Sequence, residues 1–124
     1  MQIILVAAFG LAGVMSRFAV DKLAAGQGLA APYGTIAINI VGSALAGVFY
    51  VLGTERGLLS PGLSVGLMVG FCGGFTTFSA YTLQAVTLAE KGALPGVVYL
   101  FVSPLLGFAA AYLGVLAARS FSGV

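Results

Sequence analysis

Gly70-Phe71-Cys72-Gly73-Gly74-Phe75-Thr76-Thr77-Phe78-Ser79-Ala80-Tyr81 sits inside an uncharged, mostly apolar run that extends from Pro61 to Leu88. Adjacent glycines and adjacent threonines are poor helix formers, so helix propensity does not explain them. At ~1.5 Å per residue, the piece from Gly62 to Cys72 reaches about half-way through a ~30 Å hydrocarbon layer. The Gly73-Gly74 pair is therefore expected to break the helix near the membrane midplane. Unpaired backbone at that depth is tolerated only where protein buries it or where it lines a polar path, which marks this stretch as a candidate site.

The rest of the chain sets the context. A sequence of 124 residues with 60% hydrophobic and 6% charged residues, and with no His or Trp, has too little polar surface to cover a soluble globule. Its charged residues are Arg17, Asp21, Lys22, Glu55, Arg56, Glu90, Lys91 and Arg119, and all but Arg17 fall between apolar runs or at their ends. The reading is an all-α membrane protein with a single domain of four transmembrane helices, at about 3–20, 33–53, 62–89 and 94–118. The first run is read as a retained span because no basic residue precedes it and Arg17, Asp21 and Lys22 follow.

Several function classes drop out. A lone cysteine, Cys72, makes neither an internal disulfide nor a multi-cysteine metal site and is read as a packing residue. A net charge of +2 with no basic stripe argues against nucleic acid. The expected spans contain no His, Asp, Glu or Lys, so no acid, base or activated nucleophile is available for enzymatic chemistry. The same lack counts against a small dual-topology multidrug-type antiporter, the runner-up reading, because coupled antiport draws on a titratable carboxylate. Passive conduction remains.

Small residues mark the expected helix contacts: Gly10 with Gly13, Gly42 with Ala46, Ser43 with Gly47, and the ridge Gly66, Gly70, Gly74, against which another backbone is expected to press. Pro104 predicts a kink in the fourth span. Four spans place both termini on one side, which sets Arg17, Lys22 and Lys91 against Arg56 and Arg119, too even a balance to fix an orientation. Four short spans also enclose too little volume for a path of their own. Together these predict an antiparallel, dual-topology homodimer surrounded by membrane lipid.

A few polar groups stand out. Arg17, in the last turn of the first span, either snorkels to the headgroups or lines a vestibule that concentrates anions. Asn39 is either glue between helices or a pore residue offering its amide hydrogens to an anion. Carbonyls freed between Gly73 and Thr77 would suit a small hard cation, unless the Thr76 and Thr77 hydroxyls cap them. Phe75, Phe78 and Tyr81 follow at a spacing of three, a packing stripe or a set of ring edges turned toward a path.

The stretch Gly70-Phe-Cys-Gly-Gly-Phe-Thr-Thr-Phe-Ser79 resembles the signature of the Fluc (CrcB) fluoride channels, as do Gly13-Val-Met-Ser-Arg17-Phe18 and Gly34-Thr35 with Asn39 and Gly42-Ser43. The resemblance covers nearly the whole chain. It implies a passive fluoride channel of the bacterial cytoplasmic (inner) membrane that lets a cell expel the anion, built as a dual-topology dimer with two antiparallel pores and a structural Na+ at its centre. By position it assigns the Na+ to the backbone carbonyls of Gly73 and Thr76 and the vestibule to Arg17. It assigns the pore to Asn39, Thr77, Phe78, Ser79 and Tyr81, with Ser103 from the fourth span. Two departures stand out: Tyr81 replaces the second phenylalanine of the family pair, and the fourth span offers only Tyr99, Ser103 and Tyr112 as hydroxyls, with Pro104 interrupting. Fluoride selectivity itself rests on the resemblance alone.

Overall fold

The computed structural model describes residues 1–121. Among them the backbone is helical wherever it is regular. Helix α1 is Gln2–Gly26 and α2 is Ala31–Tyr50, prolonged by one widened turn, Val51–Glu55. Helix α3, residues 61–75, joins Pro61–Val65, a π-wound stretch Gly66–Cys72, and Gly73–Phe75. Helices α4, Phe78–Lys91, and α5, Ala93–Phe121, follow. Among the described residues four units are long and apolar enough to cross a membrane: Gln2–Gly26, Ala31–Glu55, Pro61–Lys91 and Ala93–Phe121.

Each boundary has a local cause. Helix α1 continues six residues past the expected end at Val20, because nothing in Asp21-Lys-Leu-Ala-Ala25 opposes a helix. It stops at Gly28, which takes φ +73°, and Leu29 N–H then closes on the Ala24 carbonyl at 3.0 Å. The expected loop 21–32 thus shrinks to four residues, and Arg17 lies nine residues before the helix end rather than in its last turn. Before α3, the Ser60 side chain accepts from Leu63 N–H at 3.4 Å, with Pro61 in the first turn where its missing N–H costs nothing. The second loop turns at Gly57, with φ +61°.

Two close helix pairs hold the bundle. Helix α1 lies along α3, so closely that a Cβ on Gly70 would stand 2.7 Å from the Val6 carbonyl oxygen and one on Gly74 2.6 Å from that of Gly10. The backbone that presses on the Gly66–Gly70–Gly74 ridge therefore belongs to the same chain, and the ridge is not available for contact between two copies. Gly73 points elsewhere, and a Cβ there would meet nothing within 4 Å. The second pair is α2 with α5, where Gly47 meets the Ala111 carbonyl and Gly114 that of Ala44. At the end of this pair, Arg119 Nε donates to Glu55 Oε2 at 2.9 Å.

The interruption of α3 falls later than the glycines suggest. Gly73 keeps helical dihedrals, φ −63° and ψ −36°, whereas Thr76 (φ −79°, ψ 158°) and Thr77 (φ −146°, ψ 122°) are extended. The glycine pair serves packing on α1, and the two β-branched residues, which tolerate extended backbone well, make the turn-out. Pro104 stays inside an α5 assigned as one helix.

Replacing Gly114 with Ala puts a methyl 2.2 Å from the Ala44 carbonyl oxygen. The substitution is expected to cost ~1–3 kcal/mol, read as a lowered thermal unfolding midpoint in detergent. The same change at Gly26, which has open space around it, is expected to leave the midpoint unchanged.

Candidate functional site

Where helical dihedrals lapse, backbone groups lose their helical partners, and one side chain takes up two of them. Thr77 N–H, which a continuing helix would direct to the Gly73 carbonyl, donates to Asn39 Oδ1 at 2.9 Å. Asn39 Nδ2 returns a bond to the Thr77 carbonyl at 3.1 Å. The amide thus brackets one residue as a neighbouring strand would. Its second Nδ2 hydrogen remains.

The threonine hydroxyls are committed locally. Thr76 Oγ1 donates to the Cys72 carbonyl at 2.8 Å, and Thr77 Oγ1 accepts Ala80 N–H at 3.3 Å as the N-cap of α4. Neither covers the carbonyl of Gly73 or Thr76, each of which has lost the amide that an unbroken helix would supply. Arg17 Nε donates to the Gly74 carbonyl at 3.2 Å, so this cation is tied to the interruption from α1.

Beside the interruption lies a cavity of about 270 Å³, lined by residues of α2, the 76–77 segment, α4 and α5. Five of the residues singled out as pore-lining meet there: Asn39, Thr77, Phe78, Tyr81 and Ser103. Ser103 is 6% exposed, and its hydroxyl has no protein partner among the described residues, so its donor is left for whatever enters. Phe78 and Tyr81 stand 5.6 Å apart at 51°, with Phe78 76% exposed on the protomer surface and Tyr81 buried. The lining holds neither a carboxylate nor a cationic side chain.

A family model described as "CrcB-like protein, Camphor Resistance (CrcB)" matches residues 4–115. The chain belongs to the CrcB family. A Chlorobium chlorochromatii protein named fluoride-specific ion channel FluC is 38% identical over 98% of this chain and 95% of its own length. A Rhizobium etli protein of the same name is 41% identical over 96% of this chain and 97% of its own.

Other candidates of this CrcB chain fall elsewhere. Ser79 is exposed in the first turn of α4 and is absent from the cavity lining. Phe75 is buried and stacked on Phe71 at 5.7 Å, because the extended residues after it turn it away from the Phe78–Tyr81 pair. Of the other fourth-span hydroxyls, Tyr99 donates to Gln84 Oε1 at 2.8 Å and Tyr112 is 57% exposed. The hydroxyl that Tyr81 carries in place of the family's second phenylalanine donates to the Leu100 carbonyl. Ser43 also lines the cavity and was not among the expected pore residues, although its place one turn after Asn39 puts it on the same helix face.

Asn39→Leu removes both bonds to Thr77 and is expected to release the extended segment. Hydrogen exchange at the Thr77 amide should then speed up by about tenfold or more, since each bond lost at a buried group is worth ~1–3 kcal/mol.

Proposed function

We propose that this chain forms a passive, fluoride-selective channel of the bacterial cytoplasmic membrane, working as an antiparallel, dual-topology homodimer. The observation that carries the reading is the cavity itself: amide, hydroxyl and ring edges converge at an interruption of a spanning helix, with no ionised side chain in the lining. Such a lining suits a small anion stripped of water. The free Asn39 hydrogen and the Ser103 hydroxyl replace water donors, and the Phe78 and Tyr81 ring edges present partial positive charge. The first amides of α4 add the positive end of a helix dipole, and Ser79 contributes its backbone there. Arg17 raises the local anion concentration from the α1 side.

Two observations support the dimer. Phe78 is 76% exposed although it belongs to the cavity lining, so the protomer alone leaves the path open on one side. The open space at Gly73 lies just before the interruption. A second copy against this face closes the path, and the even charge balance lets copies insert in both directions.

The residues also fit a structural Na+. The Gly73 and Thr76 carbonyls are hard neutral oxygens whose helical donors are diverted to Asn39 and to Thr77 Oγ1, and neither threonine hydroxyl caps them. Two copies would offer four such oxygens. When bound, the ion supplies a fixed positive charge that holds the two interruptions together.

Fluoride efflux from proteoliposomes, read with an ion-selective electrode, tests the assignment. Phe78→Ile and Asn39→Asp are each expected to lose most of the flux while the dimer persists. Unchanged flux in both variants removes these residues from the path. Orientation has its own test: with Cys72→Ser as background, Gln27→Cys is expected to react with impermeant thiol reagents from both faces of the membrane. Labelling from one face only contradicts dual topology.

A further inference from the structure

Pro104 lies within α5 and has no N–H, so the carbonyl four residues earlier, that of Leu100, loses its helical donor. A buried carbonyl left unpaired is costly, and inside a membrane no bulk water relieves it. The Tyr81 hydroxyl, reaching across from α4, donates to that oxygen. Tyr81 is 5% exposed, and its ring lies between Phe78, at 5.6 Å, and Tyr99, at 5.4 Å. Both Tyr81, which donates the bond, and Pro104, which frees its acceptor, line the cavity.

We propose that Tyr81 and Pro104 are two halves of one device: the proline opens an acceptor on α5, and the tyrosine hydroxyl fills it. Tyr81 is then a positioning residue. Its hydroxyl proton is committed to Leu100, and its ring is held between Phe78 and Tyr99 in the cavity wall. The bond also hides the negative end of a carbonyl dipole from a path that carries anions, a consequence that rests on the conduction reading above. Tyr81→Phe therefore impairs the protein even though it keeps the ring, because it bares the Leu100 oxygen. Pro104→Ala restores an N–H at position 104, which the Leu100 carbonyl accepts in the ordinary helical way.

The test is a double-mutant cycle over Tyr81→Phe and Pro104→Ala, read by thermal unfolding in detergent and by fluoride efflux from proteoliposomes. Tyr81→Phe is expected to lower the unfolding midpoint and to slow efflux by about tenfold. Adding Pro104→Ala to Tyr81→Phe is expected to restore efflux to within about threefold of wild type. A double variant as slow as Tyr81→Phe overturns the inference, because it makes the hydroxyl a direct ligand of the anion. Additive unfolding shifts also overturn it. Coupled unfolding shifts in a wild type that passes no fluoride uphold the pairing and overturn the conduction reading instead.

Discussion

The pair of hydrogen bonds between Asn39 and Thr77 is the constraint on which the centre of the molecule depends. A spanning helix in hydrocarbon has no solvent to absorb backbone groups that lose their partners, so an interruption survives only if side chains take them up. Here one amide from α2 serves both the N–H and the C=O of Thr77, at 2.9 and 3.1 Å. Two neighbouring carbonyls are left for other uses. Arg17 takes a third, that of Gly74, from the opposite flank.

That bracket requires α2 and α1 to stand close on either side of the interruption, and the glycines make this possible. Gly70 and Gly74 let α1 pass at backbone contact, while Gly42 leaves room for the Thr76 methyl and the Phe75 ring. Without a solvent-driven force between helices in lipid, such close approach is the main source of helix affinity. Packing and site are therefore one arrangement: the same glycines that join the helices hold the extended residues open.

Tyr81 and Pro104 repeat the logic on the other wall. A residue that removes a donor from one helix is matched by a hydroxyl from another, so an imperfection of local structure becomes a tertiary contact. The buried chain Thr35–Gln84–Tyr99, with bonds of 2.8 Å each, links α2, α4 and α5 in the same way. Polar side chains within these spans thus hold helices together, while the Ser103 hydroxyl, in the cavity lining, has no protein partner among the described residues.

Much of this was legible in the residues alone. Apolar runs too long for a globule, with charges confined to their ends, determine four spanning helices, because the cost of burying charge admits little else. Asn39 was legible as a candidate because an amide in such a run must find partners, and Phe78 as a ring at helical spacing, whereas Ser103 was marked by the family resemblance. Only the tertiary structure decided how they are used. It moved the interruption from Gly73-Gly74 to Thr76-Thr77, since α1 holds the glycines in a helix and Asn39 holds Thr77 out of one. It gave the glycine ridge to α1, and it turned the Tyr81 hydroxyl onto Leu100. The partner of a backbone group is a neighbour in space, and spacing along one helix does not record which face of another helix will arrive there.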